Sequence, residues 1–255
     1  MIHTVCYYVF SPTGGTKKAG EIFCRSIAEN VKTVDLGGHD QKVENPKADL
    51  AVIAVPVFGG RVPNIVTERL KKLDGKRIKM VTLAVYGNRA YEDALLELNQ
   101  TAKEQGFQVI ASAALIAQHS IVPEVGEGRP DADDQKEIKE FAQKVLNKIQ
   151  ADQEQEGEIE VPGNYPYKDA MNTPAAPISL PSCNQCGKCA EACPTKAISI
   201  KDEAVTTETE KCILCMACTA ACPKHARILP PPVQKMMEQK LSALKTVRKE
   251  NEFFL

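Results

Sequence analysis

Eight of the ten cysteines fall between Cys183 and Cys222, set as Cys183-x2-Cys186-x2-Cys189-x3-Cys193-Pro194 and again as Cys212-x2-Cys215-x2-Cys218-x3-Cys222-Pro223. Two-residue gaps let three thiolates wrap one iron–sulfur cube within a single tight loop. The fourth cysteine, carried away at the start of a helical turn, is placed to reach the other cube. The spacing therefore assigns Cys183, Cys186, Cys189 and Cys222 to one 4Fe-4S cluster, and Cys212, Cys215, Cys218 and Cys193 to a second. Four-thiolate zinc sites also use paired Cys-x2-Cys units, but tetrahedral zinc needs neither the third and fourth cysteines of each repeat nor the proline. A disulfide framework fits secreted chains, whereas Met1-Ile2-His3 leads straight into an apolar run without the parts of an export signal, so the expected compartment is the cytoplasm. Between the repeats, Ala197-Ile198-Ser199-Ile200 and Ala204-Val205-Thr206 alternate around Asp202-Glu203, which predicts a short hairpin.

A second set of residues suits a phosphate. Ser11, Thr13 and Thr16 carry hydroxyls, Gly14 and Gly15 let successive N–H groups curl into a nest, and a helix begins there. The segment matches neither the P-loop nor the dinucleotide fingerprint, and the plain alternative is a helix cap with turn glycines. Two further loops, Pro56-Val57-Phe58-Gly59-Gly60-Arg61-Val62-Pro63 and Tyr86-Gly87-Asn88-Arg89-Ala90-Tyr91, each join an aromatic ring to glycines that permit close backbone approach. His119, in Gln118-His119-Ser120-Ile121, is a candidate for handling a proton, set against a structural role. Cys6 and Cys24 read as small buried hydrophobes.

These loops need a scaffold that brings them to one edge. Apolar runs predict strands at Ile2-Phe10, Val31-Leu36, Asp49-Pro56, Ile78-Val85 and Phe107-Ile116, with a turn or single helical coil over Gly37-Ala48. Helical spacing of Ala19, Ile22, Phe23, Ser26 and Ile27, and of Ile65, Val66, Leu70 and Leu73, predicts the first two helices; Tyr91-Gln105 and Asp131-Gln150 are the next two. Such alternation predicts a doubly wound parallel sheet whose carboxyl edge carries all the glycine loops. The first domain is expected over 1–150. Residues 151–180 read as an acidic, proline-rich linker, with six acidic side chains and one Lys in Ala151-Asp169, followed by the cysteine domain over 181–232. A C-terminal amphipathic helix is expected over 233–255, with Val233, Met236, Met237, Leu241, Leu244 and Val247 forming a docking stripe.

The 255 residues suffice for one large or two ordinary domains. Thirty-two basic against 33 acidic residues give a net charge of −1 and no electrostatic footprint for nucleic acid. The longest apolar run, Leu50 to Phe58, is too short to span a membrane.

Loop by loop, residues 1–150 resemble the flavodoxin family, and the cysteine module with its hairpin resembles bacterial two-cluster ferredoxins. The order of the two is similar to that of the fused flavodoxin–ferredoxin proteins of anaerobic bacteria and archaea. The resemblance implies a flavodoxin-like five-stranded parallel sheet, a small α+β ferredoxin-like domain and a C-terminal helix. It implies FMN, with its phosphate on Ser11 to Thr16 and its ring between Pro56–Gly60 and Tyr86–Tyr91. With no tryptophan in the chain, Phe58, Tyr86 or Tyr91 must stack on the ring; Arg61 and Arg89 stand either in solvent or beside the ring, where they would favour an anionic reduced flavin. The function implied is electron transfer between the clusters and FMN, with exchange to redox proteins such as ferredoxins or oxidoreductases. The rival is an FMN-dependent reductase of a small organic acceptor, fed by its own clusters. A redox-sensing regulator would need an effector element that the sequence does not display. A homodimer would offer a second way to bring clusters and flavin together.

Overall fold

The computed structural model describes residues 1–38, 45–151, 158–171, 174–201 and 204–255. The chain runs β1 (Ile2–Val9), α1 (Gly15–Ile27), β2 (Ala28–Asp35), β3 (Leu50–Pro56), α2 (Asn64–Leu70), β4 (Lys79–Tyr86), α3 (Ala94–Glu104), β5 (Gln108–Ile116) and α4 (Ala132–Gln150). The cysteine region follows with β6 (Ile178–Ser179), α5 (Lys188–Glu191), β7 (Ile198–Lys201), β8 (Ala204–Thr207), α6 (Ala217–Ala220) and β9 (Arg227–Ile228). The C-terminal part holds α7 (Pro231–Leu241) and β10 (Glu252–Phe254).

Strands β2-β1-β3-β4-β5 are parallel and stand in that order. The order 2-1-3-4-5 is that of the flavodoxin-like doubly wound fold. Its inner strands are largely apolar because both of their faces are covered. Val5, Tyr7 and Val9 of β1 face the core under α1 and α4, while Cys6, Tyr8 and Phe10 face the core that holds Val66, Leu70 and Leu98 of α2 and α3. The predicted burial of Cys6 and Cys24 is observed. The Gly37-Ala48 expectation falls largely on residues 39–44, outside the described residues.

The structure departs from the sequence reading in three places. First, β2 begins at Ala28 rather than Val31, because the chain leaves α1 directly into extended backbone at Ala28. As the polar edge strand, β2 carries little apolar signal.

Second, the chain around 158–171 is a strap rather than a free linker. Ile159 is buried in the sheet's core, and Asp93 accepts N–H groups from Asn164 (2.9 Å) and Lys168 (2.8 Å).

Third, the helix expected over 233–255 stops at Leu241, and the chain ends as β10, antiparallel to β5 on the outer edge of the sheet. Polar anchors hold this return. Asn251 donates to Asp134 and Glu137 and accepts the Ile116 N–H, while buried Arg129 pairs with Asp134 and donates to the Lys249 carbonyl. The docking stripe is real for Val233, Met237, Leu241 and Leu244, which pack on Ile121, Val122, Val125 and Leu229. Met236 and Val247 are exposed, 49% and 44%.

Candidate functional site

At the carboxyl edge of the sheet lies a cleft of about 430 Å³. The switch point, where β1 and β3 diverge, is where a doubly wound sheet leaves a crevice. Of the sequence candidates, Thr13, Gly15, Thr16, Pro56, Val57, Phe58, Gly59, Gly60, Tyr86, Gly87, Arg89 and His119 line it. Thr13, Gly15 and Thr16 stand at the N-terminal end of α1, where unpaired N–H groups and the helix dipole favour an anion. Phe58 is backed edge-on by Phe10 at 6.4 Å, so its ring is held rather than free. Gly59 and Gly60 have φ of +61° and +88°, and a Cβ on Gly60 would collide with the Glu92 side chain. Gly87 lets the half-buried His119 ring lie against the backbone: a Cβ there would stand 2.5 Å from His119 Cδ2.

His119 Nδ1 accepts the N–H groups of Ile121 (3.2 Å) and Val122 (3.1 Å). In the neutral ring the proton therefore resides on Nε2. Burial, together with the nearby Arg89 charge, pushes the imidazole down to about 4, so the ring is neutral near pH 7 and offers one N–H donor. As an acid it would have little proton to give.

Five predicted residues do not line the cleft. The Ser11 hydroxyl accepts the Lys17 N–H at 2.9 Å and so acts in the first turn of α1, the plain helix-capping alternative. Gly14 supplies the left-handed turn before that helix, φ +92°. Asn88 is wholly buried and bound to the C-terminal return, donating to the Val247 carbonyl (2.6 Å) and accepting the Lys249 N–H. Tyr91 donates to Glu252 of β10 at 2.7 Å and meets Tyr86 edge-on at 5.4 Å. Arg61 is paired with Glu97 through two 2.8 Å contacts and lies over the Tyr167 ring, so of the two predicted arginines only Arg89 faces the cleft.

The cleft also has lining that the sequence reading missed. Lys168 and Met171 come from the strap, Met236, Met237, Lys240 and Leu241 from α7, and Leu214 and Cys215 from the second cysteine repeat. Only three-dimensional closure places these residues there; the apolar stripe of α7 was the one signal pointing that way.

The cysteine region folds as two copies of one backbone motif. Gln185 and Leu214, each two residues after the first cysteine of its repeat, have φ of +55° and +52°. Gly187 and Met216 follow at +81° and +62°, and Lys196 and His225 match at +53° and +49°. Five non-glycine residues in the left-handed region cost energy, and they persist where a loop must curl around something. The N–H groups of Ala197 and Ala226 point to Cys193 Sγ (3.3 Å) and Cys222 Sγ (3.2 Å), and that of Gln185 to Cys183 Sγ (3.4 Å). Burial works against a Cys222 thiolate, but the backbone N–H groups of Lys224, Ala226 and Arg227 outweigh it and hold the thiol below its ordinary value.

Cys193, Cys212, Cys215 and Cys218 together line one small cavity, so the first repeat's fourth cysteine stands with the second repeat. Among the described residues no three such side chains converge on a single-ion site. Sharing one cavity is what the four ligands of one cube require. The donor set, its inward N–H groups and the exchange of Cys193 fit a 4Fe-4S cluster. The hairpin predicted between the repeats is present as β7 and β8, with residues 202–203 at its tip outside the described set.

Residues 182–226 match the family described as 4Fe-4S dicluster domain. Over 58 residues the chain is 43% identical to the aliphatic sulfonate oxidoreductase, polyferredoxin-like subunit, of Pyrococcus furiosus, a match covering 21% of this chain and 34% of that one. Among solved structures, rubredoxin oxygen:oxidoreductase of Desulfovibrio gigas aligns with 16% identity and a TM-score of 0.42, over 58% of this chain and 36% of that one. A flavodoxin of Fusobacterium nucleatum bound to flavin mononucleotide aligns with 11% identity and a TM-score of 0.42, over 57% of this chain and 98% of that one. The fold assignment rests on the strand order itself. The chain thus joins a sheet of flavodoxin-like topology to a region that matches the 4Fe-4S dicluster domain. No helix among the described residues is long and apolar enough to cross a membrane.

Proposed function

We propose that the chain is an internal relay that carries electrons between two 4Fe-4S clusters and an FMN and exchanges them with external redox proteins. In this reading Cys183, Cys186, Cys189 and Cys222 hold one cluster, and Cys212, Cys215, Cys218 and Cys193 the other. The flavin occupies the cleft. When bound, FMN supplies storage of one or two electrons, and the clusters pass electrons singly.

The chain's own residues prepare that site. Thr13, Gly15 and Thr16 present donors for a phosphate, Phe58 and Tyr86 offer apolar ring faces, and Gly59, Gly60 and Gly87 allow the backbone close to a planar ligand. His119 adds a neutral N–H donor, and Arg89 lines the cleft with its charge paired to Glu92 at 3.0 Å. The observation that carries the reading is Cys215: a proposed cluster ligand lines the same cleft as the three loops of the flavodoxin-like domain. Electrons need no second copy of the chain to pass from one centre to the other.

The test is an anaerobic reductive titration of the purified protein, followed by visible absorbance and EPR, with iron and FMN quantified. Two reducible clusters and one bound flavin are expected. Absence of reducible iron would defeat the cluster assignment, and failure to bind FMN the flavin one.

A further inference from the structure

Arg227 is neither a thiol ligand nor part of the cleft, yet it is a deeply confined cation. It is 3% exposed, on β9, next to the alanine whose N–H points to Cys222 Sγ. Its hydrogen bonds go to neutral oxygens: Nη1 donates to Ser179 Oγ (2.9 Å), and Nη2 to the Pro177 carbonyl (2.8 Å) and Thr207 Oγ1 (2.7 Å). Its Nε–H is buried without a partner. A buried guanidinium held by neutral groups with a donor left over persists where negative charge lies close by.

The surroundings supply that charge once thiolates bind iron. Pro177 and Thr207, which hold the guanidinium, line the same cavity as Cys193, Cys212, Cys215 and Cys218. Arg227 is thus tied to the cavity of the second cluster's cysteines, while its neighbour Ala226 serves Cys222. The duplicated backbone supplies a control. Counting from the fourth cysteine of each repeat, Ala197 corresponds to Ala226, and Ile198 to Arg227. Ile198 is buried as well, 8% exposed. The motif therefore accepts an apolar side chain at this position.

We propose that Arg227 is a positioning residue for electron transfer: it raises the reduction potential of the cluster held by Cys212, Cys215, Cys218 and Cys193 above that of the other cluster. The inference rests on the cluster reading given above. Each reduction adds one electron, delivered by an external one-electron redox protein, with no bond or proton changing hands. A fixed cation beside a ligand sulfur stabilises the more negative reduced form. Electrons entering at the first repeat would then come to rest on the cluster beside the cleft.

The test is an EPR-monitored redox titration of the native protein and of Arg227→Lys, Arg227→Gln and Arg227→Ile, with iron counted in each. The signal that disappears in Cys212→Ala identifies the second cluster. In the two neutral variants that cluster's midpoint is expected to fall by at least tenfold in its one-electron equilibrium, about 59 mV, with a smaller change in the other. Arg227→Lys should restore most of it. Iron-loaded neutral variants with native midpoints would overturn the proposal, as would failure of both neutral variants to hold iron, which would make the residue purely structural. A native protein without iron would instead defeat the cluster reading on which the inference stands.

Discussion

The two cysteine repeats share one spacing and one backbone, yet they face different surroundings. In the first, Cys183 is half-buried and Cys186 exposed; in the second, Cys212 and Cys215 are both half-buried, and Cys215 turns into the cleft. The difference originates outside the motif. Leu214 and Met216 of the second repeat pack with Leu229, and Ile121 and Val233 join that cluster from the sheet domain and α7. Among the described residues, the hydrophobic cluster of the first repeat holds none from the sheet domain or α7, and Ile200 of the adjoining β7 is 38% exposed. Duplication supplies two equivalent loop backbones, and docking leaves one towards solvent and turns the other towards the cleft.

The largest effect that would break this comparison comes from the exchanged cysteine. Cys193→Ala lies in the first repeat, but it should remove the second cluster, about half of the bound iron, and with it the reduction of the flavin by the remaining cluster. Iron analysis with EPR checks this, and loss of the first repeat's cluster instead would refute the exchange.

Next is Gly87→Val, which places side-chain atoms where His119 lies. FMN affinity should drop at least tenfold while iron content stays native, as read by flavin fluorescence titration. Unchanged affinity would mean that the ligand does not approach this loop.

Glu97→Gln should destabilise the protein by about 3 kcal/mol, because Arg61, whose side chain is only 18% exposed, is left without its counter-charge. Its effect belongs to the sheet domain, so thermal unfolding followed by flavin release should shift while the cluster midpoints do not.

A smaller effect is expected from acid. His119 has a folded pKa of about 4, below its ordinary value of 6.5, so between those values the unfolded chain binds the proton and the native ring does not. The contribution is complete above pH 6.5 and is lost as the pH falls towards 4. Relative to His119→Gln, which lacks the titration, the native protein should lose about 2 kcal/mol between pH 7 and pH 5, measured as the change in the difference of thermal midpoints. Parallel pH profiles would place the ring in solvent.

Sequence period and spacing carried most of this organisation. Continuous apolar strands flag a sheet covered on both faces, and eight cysteines at fixed gaps announce their chemistry without help from the fold. What escaped the sequence is held by polar, long-range pairings that have no period. Asn88 stands in a glycine loop like any ligand-facing residue, and only the return of Val247 and Lys249 to its amide shows it to be a clamp. Tyr91 is withdrawn in the same way by Glu252, and Arg61 by Glu97, thirty-six residues away. The last strand escaped because the docking stripe of α7 runs on in phase through Leu244 and Val247, and a helix reading continues until the chain ends. Cys215 was legible as a thiol ligand, but not as a wall of the cleft, because that depends on how the two domains dock.

Direct passage of electrons between the clusters and the flavin of one chain is decided by anaerobic stopped-flow reduction at several protein concentrations. After a one-electron donor reduces the clusters, the flavin absorbance should bleach at a rate independent of protein concentration. A rate that rises in proportion to concentration, or a flavin that stays oxidised beside reduced clusters, would contradict it.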